Sequence, residues 1–334
     1  MICQEQDLSY VVGTILVWMA GFNILPISML IFVVFIASIF ASSLSDGSKN
    51  YEFIDRWGSQ GSGDGQFDVP HSMTFDKSGN IYITDTHNDR IQKFSGDGEF
   101  ITKWGTVGSG DGQFNNPEGI DIDSKGDLYV ADTGNARVQK FSGDGEFITK
   151  WGTTGAGDGQ FSDHAHGIAV DSSDNVYVTD RFNFNVQKFS GDGEFITKWG
   201  TQGSGDGQFD EPHSSAIDST GRIYVSDMNN HRIQIFSNDG EFITKWGTQG
   251  SGDGQFILPL GIDVDSSNDV YVVDQGTSSV QQFSNNGSFV SKMKINQTEQ
   301  DQSSVLEDIE LNKSDDIFLT DRGQHNIIVY NNAQ

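Results

Sequence analysis

From residue 50 onward, apolar and polar residues alternate in short runs, each closed by a turn rich in glycine, aspartate, asparagine or serine. In Gly119-Ile120-Asp121-Ile122-Asp123 the alternation leads into a turn at Ser124-Lys125-Gly126. Leu128-Tyr129-Val130-Ala131-Asp132 and Arg137-Val138-Gln139-Lys140-Phe141 follow, and after Gly143-Asp144-Gly145 comes Phe147-Ile148-Thr149-Lys150-Trp151. Period-two runs of this length, bounded by turn residues, predict an antiparallel meander of four short strands, with Gly-Asp-Gly supplying the positive φ that tight hairpins need.

The meander repeats. Trp57, Trp104, Trp151, Trp199 and Trp246 recur every 47 or 48 residues, most inside a copy of FITKWGT followed by GSGDGQF or a close variant, and Met293 takes the sixth place. A period in the forties with four strands per unit is the pattern of a propeller blade, whereas a helical solenoid needs 3.6-residue periodicity. The array opens with Tyr51-Glu52-Phe53-Ile54-Asp55-Arg56-Trp57, a fourth strand alone, and ends with Asn326-Ile327-Ile328-Val329-Tyr330, a third strand with nothing after it. Together the two ends complete one blade, so an all-β ring of six blades closed by its N-terminal strand is expected over residues 46–334.

Residues 1–45 differ in kind. Leu8 to Ser45 carries no charged side chain, and ILPISMLIFVVFIASIF (24–40) is apolar enough to enter a bilayer as a helix. Two readings stand side by side: an anchor over residues 11–41 kinked near Pro26, or a signal segment cleaved after Ala41-Ser42-Ser43, near Ser43. Lys49 and Arg56 after the span favour an internal body, whereas the acidic body with N-x-S/T sequons at Asn286, Asn296 and Asn312 favours a membrane-anchored, extracytoplasmic one. The expectation is a propeller held at a membrane through its N-terminal segment and displayed outside, with secretion after cleavage as the alternative.

Composition narrows the partners. The 334 residues include 40 glycines and only 5 prolines, and 47 acidic residues against 20 basic ones give a formal charge of -27. A surface this negative repels phosphate backbones, which argues against nucleic acid. A single cysteine, Cys3, rules out a disulfide framework or a thiolate metal cluster. No G-x-S-x-G elbow, H-E-x-x-H helix, P-loop or dinucleotide fingerprint occurs.

Residues demanded by every unit read as architecture. Asp85, Asp132, Asp180, Asp227, Asp274 and Asp321 close each second strand and suit turn capping, while Phe67, Phe114, Phe161, Phe209 and Phe256 suit packing between blades. Function is sought where equivalent positions differ. The second residue of the innermost strand reads His71, Glu118, His166, His213, Leu260 and Glu307 around the ring, so imidazoles and carboxylates gather at one mouth of the channel and suit zinc or a similar divalent ion. The loop leaving the second strand returns to that mouth, bringing His87, Arg181, Phe182, Met228 and Arg322. The two arginines either attract an anionic ligand or pair with Asp180 and Asp321.

PHSMTFDKSGNIYITDTHNDRIQKF (70–94), PEGIDIDSKGDLYVADTGNARVQKF (117–141) and PLGIDVDSSNDVYVVDQGTSSVQQF (259–283) resemble NHL repeats, and the resemblance covers residues 51–330. It implies a six-bladed propeller and leaves function open, because such propellers serve as protein-binding, RNA-binding and catalytic domains. Pro70-His71-Ser72, Pro212-His213-Ser214, His166-Gly167 and Asp180-Arg181 are also similar to motifs of the peptidyl-hydroxyglycine amidating lyases. That resemblance implies zinc on His71, His166 and His213 and a catalytic role for Arg181. The chain departs from it with Leu260 where a fifth-blade histidine is expected and Thr133-Gly134 where a tyrosine follows the second-blade aspartate. Glu118, Glu307 and His87 are the candidates for a general base. The primary expectation is a recognition or scaffold module for a protein or small-molecule ligand; the alternative is a zinc-dependent lyase or hydrolase at the channel mouth.

Overall fold

The alternating runs pair into 24 strands forming six four-stranded antiparallel sheets. This computed structural model describes residues 49–295 and 304–333. The expected anchor or signal segment, its cleavage near Ser43 and the Asn296 sequon lie outside the described residues. Among the described residues, no helix is long and apolar enough to cross a membrane.

After β1 (Asn50–Trp57), the first blade comprises β2 (Pro70–Phe75), β3 (Ile81–Asp85), β4 (Arg90–Phe94) and β5 (Phe100–Trp104). The next four blades run from β6 (Pro117–Ile122) to β9 (Phe147–Trp151), β10 (Ala165–Val170) to β13 (Phe195–Trp199), β14 (Pro212–Ile217) to β17 (Phe242–Trp246) and β18 (Pro259–Val264) to β21 (Phe289–Lys294). The sixth combines β22 (Leu306–Leu311), β23 (Ile317–Asp321) and β24 (Asn326–Ala333) with β1, which pairs antiparallel to β24 from Asn50 opposite Ala333 to Trp57 opposite Ile327. The ring therefore closes as the sequence predicts, through the N-terminal strand.

Aromatic side chains fill the space between sheets. Phe67 is fully buried, its ring 6.2 Å from Trp57 and 5.7 Å from Phe94, and the arrangement repeats at Phe114, Phe161, Phe209 and Phe256. Truncating such a ring costs about 3–5 kcal/mol, which accounts for its presence in five units. The GSGDGQF loops are turns: the Gln66 side-chain oxygen accepts the Gly63 N–H, and Gln113, Gln160, Gln208 and Gln255 do the same in their blades. The strand-closing aspartates are caps. Asp85 accepts hydrogen bonds from the Asp68 backbone at 2.7 Å, from Arg90 at 2.7 Å, and from Asn88 and Gln92.

One irregularity positions the channel lining. In every innermost strand the ladder slips between the first residue and the fourth, as between Pro70 and Met73 or Ala165 and Ile168. A bulge re-aims side chains. Residues from both the second and the fifth position consequently line one central cavity of about 200 Å³, among them His71, His166, His213, Asp121, Asp263 and Glu310.

Candidate metal centre at the channel mouth

Hydroxyls on the second strand of one blade hold the bulged residue of the next. Thr320 donates to the His71 carbonyl at 2.8 Å, Thr84 to that of Glu118 at 2.7 Å, Thr179 to that of His213 at 2.9 Å, and Ser226 to that of Leu260 at 2.6 Å. The same hydroxyls accept the N–H of Asp308, Ser72, Gly167 and Ser214 in their own blades. The backbone passes so close at these points that a methyl group on Gly119 would overlap the His166 carbonyl. The His71 and His213 positions are thus fixed from two neighbouring sheets.

This framework brings His71, His166, His213 and Glu307 together, all buried, with one donor atom from each within 4.8 Å of the others. A single Glu307 oxygen lies 3.3 Å from His71 Nε2 and 3.0 Å from His213 Nε2. Donors about 2.0–2.1 Å from a shared tetrahedral ion stand roughly 3.3 Å apart, so the cluster needs only a modest contraction to close on one. His166 Nδ1 lies 3.0 Å from the His213 carbonyl; because a carbonyl only accepts, the proton sits on Nδ1 and the Nε2 lone pair is left for the channel. The Nδ1 atoms of His71 and His213 are buried without a hydrogen-bond partner among the described residues.

Electrostatics favour a single cationic imidazole in the quartet. Burial holds His166 well below the ordinary imidazole range, with His213 and His71 adding to the effect. Burial also lowers His213, against the pull of Glu307. For His71 burial opposes the charge, but the Glu307 carboxylate outweighs it and lifts His71 above its usual value. Burial would likewise raise Glu307, yet His71 and His213 hold it well below the carboxyl range. Without an ion, then, a His71–Glu307 ion pair faces two neutral imidazoles that keep a lone pair available.

The remaining expected residues divide by position. Glu118 lies beside the quartet, one oxygen 3.5 Å from His166 Nε2 and 3.2 Å from the Thr133 hydroxyl. Glu307, a candidate base in the sequence, stands among the ligand set instead. Arg322 Nη1 is 3.0 Å from the second Glu307 oxygen, at ion-pair distance but without hydrogen-bond geometry. Arg181 pairs with Glu211 of the next blade through two nitrogens, so neither arginine takes the strand-closing aspartate as its partner. His87 is an exposed rim residue 3.6 Å from Asp68, apart from the quartet.

Sequence reading missed a second layer. Asp121, Asp263 and Glu310, with Asp308 nearby, project into the same cavity three residues farther along the inner strands. Asp121 accepts the Val170 N–H and Asp263 the Leu311 N–H, each from the next blade, at 2.7 Å. Burial pushes Asp121 and Asp308 up to about 6, and burial with neighbouring carboxylates raises Asp263 and Glu310 further. Comparing units at the fifth inner position, Thr74, Asp121, Ala169, Ala216, Asp263 and Glu310, would have exposed the layer.

Comparison with known proteins agrees with the fold. The NHL repeat family matches residues 67–94, 114–141 and 163–189, and DUF5128, described as a 6-bladed beta-propeller, matches 218–305. No curated protein matches the chain. Among solved structures, streptogramin B lyase aligns with a TM-score of 0.61 at 16% identity over 85% of this chain and 88% of its own. Virginiamycin B lyase from Staphylococcus aureus aligns at 0.61 and 13% identity over 84% and 99%. A gluconolactonase from Xanthomonas campestris aligns at 0.60 and 14% over 80% and 87%. At these identities the likeness is one of fold: the chain is a six-bladed propeller containing NHL repeats.

Proposed function

We propose that the quartet binds a divalent ion of the zinc type and that the propeller is a metal-dependent lyase or hydrolase acting at its channel mouth. The observation that carries this reading is the convergence of three imidazole nitrogens and one carboxylate within 4.8 Å in a buried layer, with the His166 tautomer set by the His213 carbonyl. The fold needs only packing and solubility at these positions, and Leu260 shows that an apolar residue is tolerated at one of them. Three imidazoles with one carboxylate suit zinc and its first-row neighbours. Such an ion, when bound, polarises a carbonyl or hydroxyl oxygen and lowers the pKa of bound water.

The chain's own groups supply the rest. Glu118, at the edge of the quartet and only partly buried, is placed to accept a proton, and its bond from Thr133 orients the carboxylate. Lyases and a lactonase among the structural neighbours share this fold, which supports a small-molecule reading and names no substrate. Zinc titration against a competing chelator is the test. The full-length protein is expected to bind one equivalent, His166→Ala and Glu307→Gln to weaken binding by at least about tenfold, and Glu118→Gln to keep the metal. Equal weak binding by wild type and variants would favour the non-catalytic recognition role instead.

A further inference from the structure

The third and sixth blades depart from the other four in the same way, and the departure shapes what the mouth can hold. In the first, second and fourth blades an arginine at the start of the third strand clamps the strand-closing aspartate: Arg90 to Asp85, Arg137 to Asp132 and Arg232 to Asp227 at 2.6–2.7 Å. The third and sixth blades carry Asn185 and Asn326 there, and an arginine appears instead directly after the aspartate, at Arg181 and Arg322. Their loops are plain turns where the other four blades form a 3-10 turn. In a ring of six, blades three apart face each other across the channel, so the two displaced arginines stand on opposite sides of the quartet.

The two arms are alike in origin and different in chemistry. Arg181 is neutralised by Glu211 and lies over the ring of Phe182, 5.7 Å from its centroid. Phe182 is 42% exposed and rests on His164 with ring centroids 4.3 Å apart, so it is a held aromatic surface facing solvent. Across the mouth, the position matching Glu211 is Val69, so Arg322 meets no carboxylate from the next blade; among the described residues it leans on Glu307, with its side chain 40% exposed. The residue after it is Gly323, which leaves the guanidinium uncovered where the opposite arm carries a ring. One side of the mouth is therefore aromatic, with its arginine matched by a carboxylate of its own, while on the other a partly exposed arginine shares Glu307 with His71 and His213.

We infer that the ligand of this mouth is a carboxylate bearing an aryl or bulky alkyl group, its apolar part against Phe182 and its carboxylate at Arg322, with the reacting atoms held between them over the quartet. The inference rests on the reading of the quartet as a metal site for the reaction, but not for the binding preference itself. Arginine suits a carboxylate by its planar pair of donors. An exposed phenylalanine held by its neighbours gains from covering by an apolar group what it loses by facing water.

The test is calorimetric titration of the full-length protein, zinc-loaded and zinc-free, with 3-phenylpropionate, propionate and 3-phenylpropan-1-ol. Wild type is expected to bind 3-phenylpropionate about tenfold more tightly than either of the others. Phe182→Ala should erase the advantage over propionate, Phe182→Leu should keep part of it, and Arg322→Gln should erase the advantage over the alcohol. An unchanged ratio in Phe182→Ala, or no measurable binding of the acids, overturns the inference even if zinc binds stoichiometrically. If zinc does not bind but the ratios follow this pattern, the metal reading fails and the ligand class stands.

Discussion

The Asp132–Arg137 pair shows how single residues carry this fold. Both are buried, and Arg137 also donates to the carbonyls of Ser109, Gly110 and Gln113, tying a strand end to the loop that precedes its blade. Removing one partner leaves a buried charge, so Arg137→Ala should destabilise the propeller by about 3 kcal/mol in denaturant unfolding. A loss within 0.5 kcal/mol would mean that Asn135, Gln139 and the Asn115 N–H satisfy Asp132 alone. Thr179 carries a different burden. Its hydroxyl holds the His213 carbonyl that also fixes the His166 tautomer, so Thr179→Val is expected to lower zinc affinity about tenfold with the ion still bound one to one. The histidines were legible in the sequence because one inner-strand position breaks the repeat. The hydroxyl supports and the true partners of Arg181 and Arg322 were not, because they depend on which residues face each other between blades, and a repeat pattern describes each blade only against itself.

At the level of elements, β1 is the piece whose removal is most informative. It supplies Trp57 to the packing around Phe67 and covers the open edge of β24, so a chain lacking residues 49–57 should lose cooperative unfolding and associate through the bared edge. Light scattering with a thermal melt checks this, and an unchanged melt would mean the ring holds without its closing strand. That closure was readable because a lone fourth strand opens the array and a lone third strand ends it. The bulge in each inner strand was not, since Pro-His-Ser-Met-Thr-Phe reads equally well as a regular strand. For the same reason the acidic fifth positions went unnoticed: strict alternation from His71 would not have pointed both His71 and Thr74 inward. The two turn-type loops were likewise hidden, as Asp-Arg-Phe-Asn and Asp-Thr-His-Asn carry similar turn residues with different outcomes.

For the molecule as a whole, two groups of carboxylates act in opposite directions with pH. Burial raises Asp121, Asp308, Asp263 and Glu310, so folding takes up protons there, and the stability they contribute is lost as pH rises through about 6 and beyond. Hydrogen bonds hold Asp76, Asp123, Asp218 and Asp315 below the usual range against a burial effect of opposite sign, and the His71–Glu307 pair does the same for Glu307; that stability is lost as pH falls below about 4. The neutral His166 and His213 contribute stability that is lost as pH falls below the ordinary imidazole range, so in chelator-treated protein the Tm should peak at about pH 5–7 and decline toward pH 8. Glu310→Gln should raise the Tm at pH 8 by much more than at pH 5; parallel curves for the two proteins would show that the channel carboxylates are not responsible. The pairing of Trp57 with Ile327 also sets a timetable. On a ribosome adding about 5–20 residues per second, the first strand emerges roughly 14 to 54 seconds before its partner exists, so every blade between them must be made and stacked while the ring is still a gapped arc. The near-identity of the outer strands then becomes a hazard during synthesis, because each finished blade offers the waiting edge a plausible wrong mate, and the correct one is the last to arrive.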